Sequence, residues 1–201
     1  MELNILLAST STTYSSSYLN YLRDEIVELF SKTDEILFIP LARPGGISHD
    51  DYTKKANTFF HSIDKHCVSI TNFDNPQKAI SEAKGIFTGG GNTFLLLKQL
   101  YEFNLFQSLK GKIESGCPYL GTSAGSNICG QHIKTTNDMP IVYPPSFQAL
   151  GVVPYVINPH FVDKQEGAQH QGESRTTRLK EYLAQNKTPV IALPEGSWIR
   201  I

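Results

Sequence analysis

The stretch best suited to covalent chemistry is Gly121-Thr122-Ser123-Ala124-Gly125, a G-x-S-x-G pattern directly after the short apolar run Pro118–Gly121. Glycines on either side of the serine let a strand turn sharply into a helix. The hydroxyl of Ser123 then projects from the sheet edge, and the N–H of Ala124 points to where an oxyanion would form. The plainer alternative is a Gly/Ser-rich turn; the strand before and the helix predicted after favour a nucleophile. A serine is a weak nucleophile until a base takes its proton. Of six histidines, His49, His61 and His66 lie in or beside amphipathic segments ahead of the elbow and read as surface residues. His170 sits in a polar stretch, and His132 follows the elbow closely. His160 differs, because Asn158-Pro159-His160-Phe161 ends the apolar run VVPYVI. The end of a buried parallel strand is where α/β sheets present functional side chains. His160 is therefore the first candidate base and His132 the second, a packing or capping histidine being the alternative. The base needs an acid to orient it. Asp138, in Thr135–Pro140, is one candidate, although an Asx turn before Pro140 explains it as well. Asp163, Glu173 and Glu195 compete, Glu195 at the end of the apolar run Val190–Leu193. Spacing does not choose among them.

A second cluster is Gly89-Gly90-Gly91-Asn92, between the strand-like Gly85–Thr88 and a helix through Leu95, Leu96, Leu97 and Leu100. Successive glycines let backbone N–H groups converge on an anion at a helix start. No Lys-Ser/Thr follows, and Phe94 stands where G-x-G-x-x-G needs its third glycine, so neither nucleotide motif is complete. A second oxyanion donor facing Ser123 fits better.

These residues need a scaffold. Strand-like runs at Leu3–Leu7, Glu35–Ile39, Cys67–Phe73, Gly85–Thr88, Pro118–Gly121, Val152–Ile157 and Val190–Leu193 alternate with helical patterns. The helices are predicted over Tyr18–Phe30, His49–Ser62, Pro76–Ala83, Leu105–Ser115 and Ser174–Ala184 as well as through Leu95–Leu100. Such alternation predicts an α/β fold, a mainly parallel sheet covered on both faces. No repeat or linker divides the chain, so residues 1–201 read as one domain.

Together these pieces resemble the peptidase E family, serine dipeptidases that remove an N-terminal aspartate. The resemblance rests on GGGNTF (Gly89–Phe94), GTSAGSN (Gly121–Asn127), TTNDMPIV (Thr135–Val142), INPHF (Ile157–Phe161) and LPEGSWI (Leu193–Ile199), in that order, and spans essentially the whole chain. It implies a three-layer αβα fold, flavodoxin-like and similar to class I glutamine amidotransferases, with serine as the elbow nucleophile. It implies Ser123 as nucleophile, His160 as general base, Asp138 as its orienter, and the N–H groups of Gly91 and Ala124 as the oxyanion hole. Asn92 and Glu195 match further positions of the site, on its substrate-binding side. The implied substrate is a small peptide beginning with aspartate, whose carboxylate needs a cation. Arg175, at a predicted helix start with Arg178 after it, is the first candidate for that contact. The sequence ends at Ile201, just after Trp198, where longer relatives continue with further strands. An edge left open there would suit pairing with a second copy, a homodimer.

Composition narrows the partners. With 18 Lys+Arg against 19 Asp+Glu the formal charge is −1, and no basic block offers a nucleic-acid or membrane-surface footprint. Three widely spaced cysteines provide neither a disulfide framework nor a zinc site. No stretch approaches the ~20 apolar residues of a membrane-spanning helix. The expectation is a cytoplasmic enzyme that needs no metal or cofactor. Three rivals remain: a cyanophycinase-like hydrolase of aspartate-rich polymer, a small α/β-hydrolase esterase, and a non-catalytic ligand-binding protein. The esterase is disfavoured because Asp138 follows Ser123 by only 138 − 123 = 15 residues.

Overall fold

In the computed structural model, which describes residues 2–162 and 173–201, every residue of the strand Ile5–Ala8 (β1) is buried. A strand buried on both faces belongs inside a covered sheet. Because successive side chains point to opposite faces, Ile5 and Leu7 join one core while Leu6 and Ala8 join another. The remaining strands of this sheet are β2 (Glu35–Ile39), β3 (His66–Ser69), β4 (Ile86–Thr88), β5 (Tyr119–Thr122) and, late in the chain, β8 (Trp198–Arg200). Their order is β3-β2-β4-β5-β1-β8, parallel throughout except for β8, which runs antiparallel to β1.

Helices α1 (Arg23–Leu29) and α2 (His49–His61) cover one face, packing Ile26, Tyr52 and Phe60 against Leu6, Phe38, Phe87 and Leu120. The other face carries α3 (Pro76–Glu82), α4 (Thr93–Glu102), α5 (Phe106–Glu114) and α6 (Ala124–Asn127), with Ile80, Leu97, Leu109 and Ala124 on Ile5, Leu7, Ile39 and Tyr119. The result is the expected three-layer α/β architecture.

Three local expectations change. The helix predicted from Tyr18 is a 3-10 turn at Asn20–Leu22 leading into α1, since Leu19 takes a left-handed φ of 58°. The strand predicted over Cys67–Phe73 stops at Ser69, whose side chain accepts from the N–H of Thr71 and starts a 3-10 turn. The strand expected at Val152–Ile157 is β6 (Val156–Phe161): Val152 and Val153 are buried without joining a ladder, and Pro154 follows them. Moreover, β6 pairs with β7 (Val190–Pro194) as a separate two-stranded parallel sheet. Helix α7 (Arg175–Gln185) lies between them in sequence.

Candidate active site

The elbow forms because two glycines leave no room for anything larger. A Cβ on Gly121 would lie 2.5 Å from the carbonyl oxygen of Gly125, and one on Gly125 would lie 2.2 Å from that of Thr88. This crowding drives Ser123 to φ 52°, ψ −110°, a conformation that costs on the order of 1–3 kcal/mol and persists only where its surroundings impose it. The turn is pinned by Ser126, whose hydroxyl lies 2.7 Å from the carbonyl of Ala8 and 2.8 Å from that of Gly121.

The base arrives by a different irregularity. Pro159 has no N–H for the β6–β7 ladder, and the register slips between Asn158 and Phe161. Within that bulge His160 adopts φ 54°, and its backbone N–H donates to Ser9 Oγ at 2.8 Å. Ser9, fully buried at the end of β1, in turn donates to the carbonyl of Leu193 on β7 at 3.0 Å. One hydroxyl therefore ties the main sheet to both strands of the small one. The imidazole it positions has Nε2 2.8 Å from Ser123 Oγ and Nδ1 2.5 Å from Glu195 Oε1. Nucleophile, imidazole and carboxylate stand in one hydrogen-bonded line.

Asp138 is not in that line, which corrects the expectation that it orients His160. Its carboxylate accepts from the N–H of Thr93 at 2.7 Å and from the Thr136 hydroxyl at 3.0 Å. An N-terminal helix N–H is a natural partner for a carboxylate, so Asp138 anchors its own segment to the start of α4. Asn92 strengthens that junction: its Oδ1 caps α4 at the N–H of Leu95 and its Nδ2 donates to the carbonyl of Met139. Glu195, expected on the substrate side, instead stands behind the imidazole. The earlier competitors Asp163 and His170 lie outside the described residues.

His132 is buried, and its Nε2 meets the Tyr182 hydroxyl at 3.0 Å, away from Ser123. Desolvation, followed by the charge of Lys134, lowers its pKa. His66 faces Glu35 near the opposite end of the sheet, where a cavity of about 450 Å³ opens far from Ser123.

The glycine loop lies against the nucleophile. Gly91, at φ 149°, packs so tightly that a Cβ would fall 2.2 Å from the carbonyl oxygen of Ala42. Gly90 lies against Ser123, a Cβ there meeting Ser123 Cβ at 3.0 Å. Among the described residues, the N–H groups of Gly91 and Ala124 donate to no protein acceptor. Beside Asp138 a cavity of about 600 Å³ is lined by Lys134, Thr136, Asn158, Arg175 and Arg178. Arg175 is the first residue of α7, and Asn158 Oδ1 is buried without a partner among the described residues.

Residues 5–201 match peptidase family S51. The chain belongs to peptidase family S51. Its curated relatives include a peptidase E of Streptomyces coelicolor, 39% identical over 99% of this chain and 81% of that protein. A Drosophila melanogaster protein named "Probable alpha-aspartyl dipeptidase" is 39% identical over 98% of this chain and 82% of its own length. The crystal structure of a peptidase from an acI-B1 actinobacterium superposes with a TM-score of 0.68 at 18% identity, covering 98% of this chain and 86% of that one. The last match speaks to the fold alone. As an S51 member the chain is a serine-type peptidase, and two site residues carry less sequence signal than the elbow. Ser9 belongs to the Ser/Thr-rich turn after β1, where nothing separates it from its neighbours. Glu195 is visible as an acid at a strand end, but its partner becomes evident only when β6 and β7 pair.

Proposed function

We propose that this S51 peptidase hydrolyses small peptides with N-terminal aspartate, dipeptides above all, through an acyl-enzyme on Ser123. The observation that carries this reading is the line Ser123 Oγ, His160 and Glu195, with links of 2.8 and 2.5 Å, beside the glycine loop whose Gly90 packs on Ser123. In the first half-reaction Oγ attacks the scissile carbonyl while Nε2 of His160 takes its proton. Glu195 holds the imidazole with Nδ1–H toward itself and balances the imidazolium. The tetrahedral oxyanion accepts from Gly91 and Ala124. His160 returns the proton to the leaving amine, the C–N bond breaks, and the new N-terminus departs. Water then repeats the sequence on the ester, releasing the acid and Ser123.

The cavity beside Asp138 suits the acyl residue. Asp138 and Oδ1 of Asn158, unpartnered among the described residues, are acceptors for an α-ammonium group. Arg175 offers a planar fork for the aspartyl carboxylate. Dipeptidase names among the relatives support the same substrate class, rather than aspartate-rich polymer. No helix among the described residues is long and apolar enough to cross a membrane. Three buried thiols suit a reducing, cytoplasmic setting. The outer edge of β8 is where we place contact with a second copy, which light scattering would test.

The decisive experiment compares hydrolysis of Asp-Leu with Ala-Leu and Leu-Leu by wild type, Ser123→Ala and Arg175→Ala. Activity confined to Asp-Leu, abolished in Ser123→Ala and raised in KM by Arg175→Ala, is expected. Wild-type turnover by Ser123→Ala would overturn the nucleophile, and equal turnover of all three peptides would overturn the substrate.

A further inference from the structure

Arg43 is a cation for which the described residues provide no paired anion. It follows β2 through the buried residues Leu41 and Ala42, and its Nε is buried with no hydrogen-bond partner. Among the described residues no carboxylate pairs with it. A desolvated guanidinium N–H left unbonded is costly, and although Arg43 as a whole is only half-buried, a planar guanidinium is suited to a carboxylate or phosphate. Its location is also informative. The carbonyl of Ala42, bonded to the nitrogen of Arg43, accepts from the N–H of Asn92 at 2.7 Å and abuts Gly91. The guanidinium lies 4.4 Å above the Tyr52 ring, and the Tyr52 hydroxyl donates to the carbonyl of Gly90 at 3.3 Å. The residue before Arg43 and the ring beneath its guanidinium thus both touch the glycine loop. Lys55, 5.0 Å from the neighbouring Tyr18 ring, adds a second cation to this flank.

The flank itself is the other side of the site. Tyr52 and Tyr18 belong to the core beneath α1 and α2, whereas Asp138 is bonded to the start of α4 on the opposite face and shares a cavity with Arg175. A peptide held with its carbonyl oxygen on Gly91 and Ala124 sends its two substituents in opposite directions. With the acyl residue toward Asp138, the leaving residue extends toward Arg43. In a dipeptide that residue carries a free α-carboxylate only three bonds from the scissile carbon.

We propose that Arg43 binds the α-carboxylate of the leaving amino acid and so makes this peptidase selective for substrates that end one residue beyond the scissile bond. The inference rests on the acyl-transfer reading above and adds a determinant on the leaving side. Such a contact forms in the ground state and the transition state alike, so its loss should raise KM and spare kcat.

The test measures kcat/KM for Asp-Leu and for Asp-Leu amide with wild type, Arg43→Ala and Arg43→Lys. Using the ratio of the two substrates for each protein cancels any difference in folded fraction. Wild type should favour the free acid by about 10- to 100-fold, the range of a charge-assisted hydrogen bond. That preference should fall to within about threefold in Arg43→Ala and be partly kept by Arg43→Lys, with the change in KM. A wild-type preference that persists undiminished in Arg43→Ala would overturn the assignment, as would a wild type indifferent to the amide; both leave the peptidase reading intact. Failure of wild type to cleave either substrate would overturn both.

Discussion

Replacing Glu195 by glutamine removes a charge and little volume, which makes it the sharpest probe of the orienting acid. The carboxylate does two things for His160: it fixes the proton on Nδ1 and offsets the imidazolium formed during attack. Unit charges about 4 Å apart attract by about 1 kcal/mol in water and about 4 kcal/mol at an effective dielectric near 20. The side chains of Glu195 and His160 are 48% and 33% exposed, so screening places the pair between these limits. A value of about 2.5 kcal/mol corresponds to a rate loss of roughly 70-fold. A glutamine amide that donates to Nδ1 also forces the proton onto Nε2, where it blocks attack, and a fully buried acid in such a triad is worth about 10⁴ in kcat. The half-exposed Glu195 should therefore contribute about 10² to 10³. The assay is kcat on Asp-Leu for Glu195→Gln and Asp138→Asn, paired with proton NMR of the far-downfield resonance expected for a short Nδ1–H···O bond. That resonance should vanish in Glu195→Gln and persist in Asp138→Asn, whose defect should fall mainly on KM. Near-wild-type kcat for Glu195→Gln together with loss of the resonance in Asp138→Asn would refute the reasoning.

Ser9 acts through His160, so Ser9→Ala should lower kcat about tenfold with KM within about threefold, since a buried unpaired group costs about 1–3 kcal/mol; Ser9→Thr, which keeps the hydroxyl, should restore the rate, and slower fluorophosphonate labelling of Ser123 in Ser9→Ala would separate positioning from plain destabilisation. Burial pushes the Cys117 thiol up to about 11 and that of Cys129 up to about 12. Dithionitrobenzoate should therefore find no reactive thiol in the native protein and three after denaturation; rapid native labelling with loss of activity would count against a serine mechanism. His132 is held below its ordinary pKa by desolvation, then by Lys134, so the folded state binds fewer protons there than the unfolded chain. Its contribution to stability is present above the unfolded value of about 6.5 and is lost as pH falls through the folded one. Urea midpoints at pH 7.5 and 5.5 should accordingly converge in His132→Gln, and an unchanged difference would rule this residue out as the source.

What the sequence discloses is what local rules determine. The elbow is legible because two glycines flanking a serine after a strand permit a sharp turn, which Thr88 and Ala8 from neighbouring strands then hold in place. His160 is legible for a related reason: an apolar run followed by Asn-Pro-His puts a polar side chain at a strand end. The orienting acid is not legible, because Asp138 and Glu195 are both acids in turn-forming contexts. The start of α4 takes the carboxylate of Asp138, and the long-range pairing of β6 with β7 brings Glu195 level with the imidazole. Apolar runs likewise report burial before they report strands. Val152 and Val153 pack into the core as firmly as a strand would, and only the following proline, with its missing donor, tells where the ladder begins.

Nucleophile and base ride on different sheets, joined through Ser9 and the packing of α6 against β6. If these two strands, with their proline bulge, open while the six-stranded sheet stays folded, the opening costs less than global unfolding. Activity is therefore a local thermometer. On gentle heating, turnover should fade while far-ultraviolet dichroism, dominated by the larger sheet and its helices, stays native, and it should return on cooling without the chain ever having unfolded.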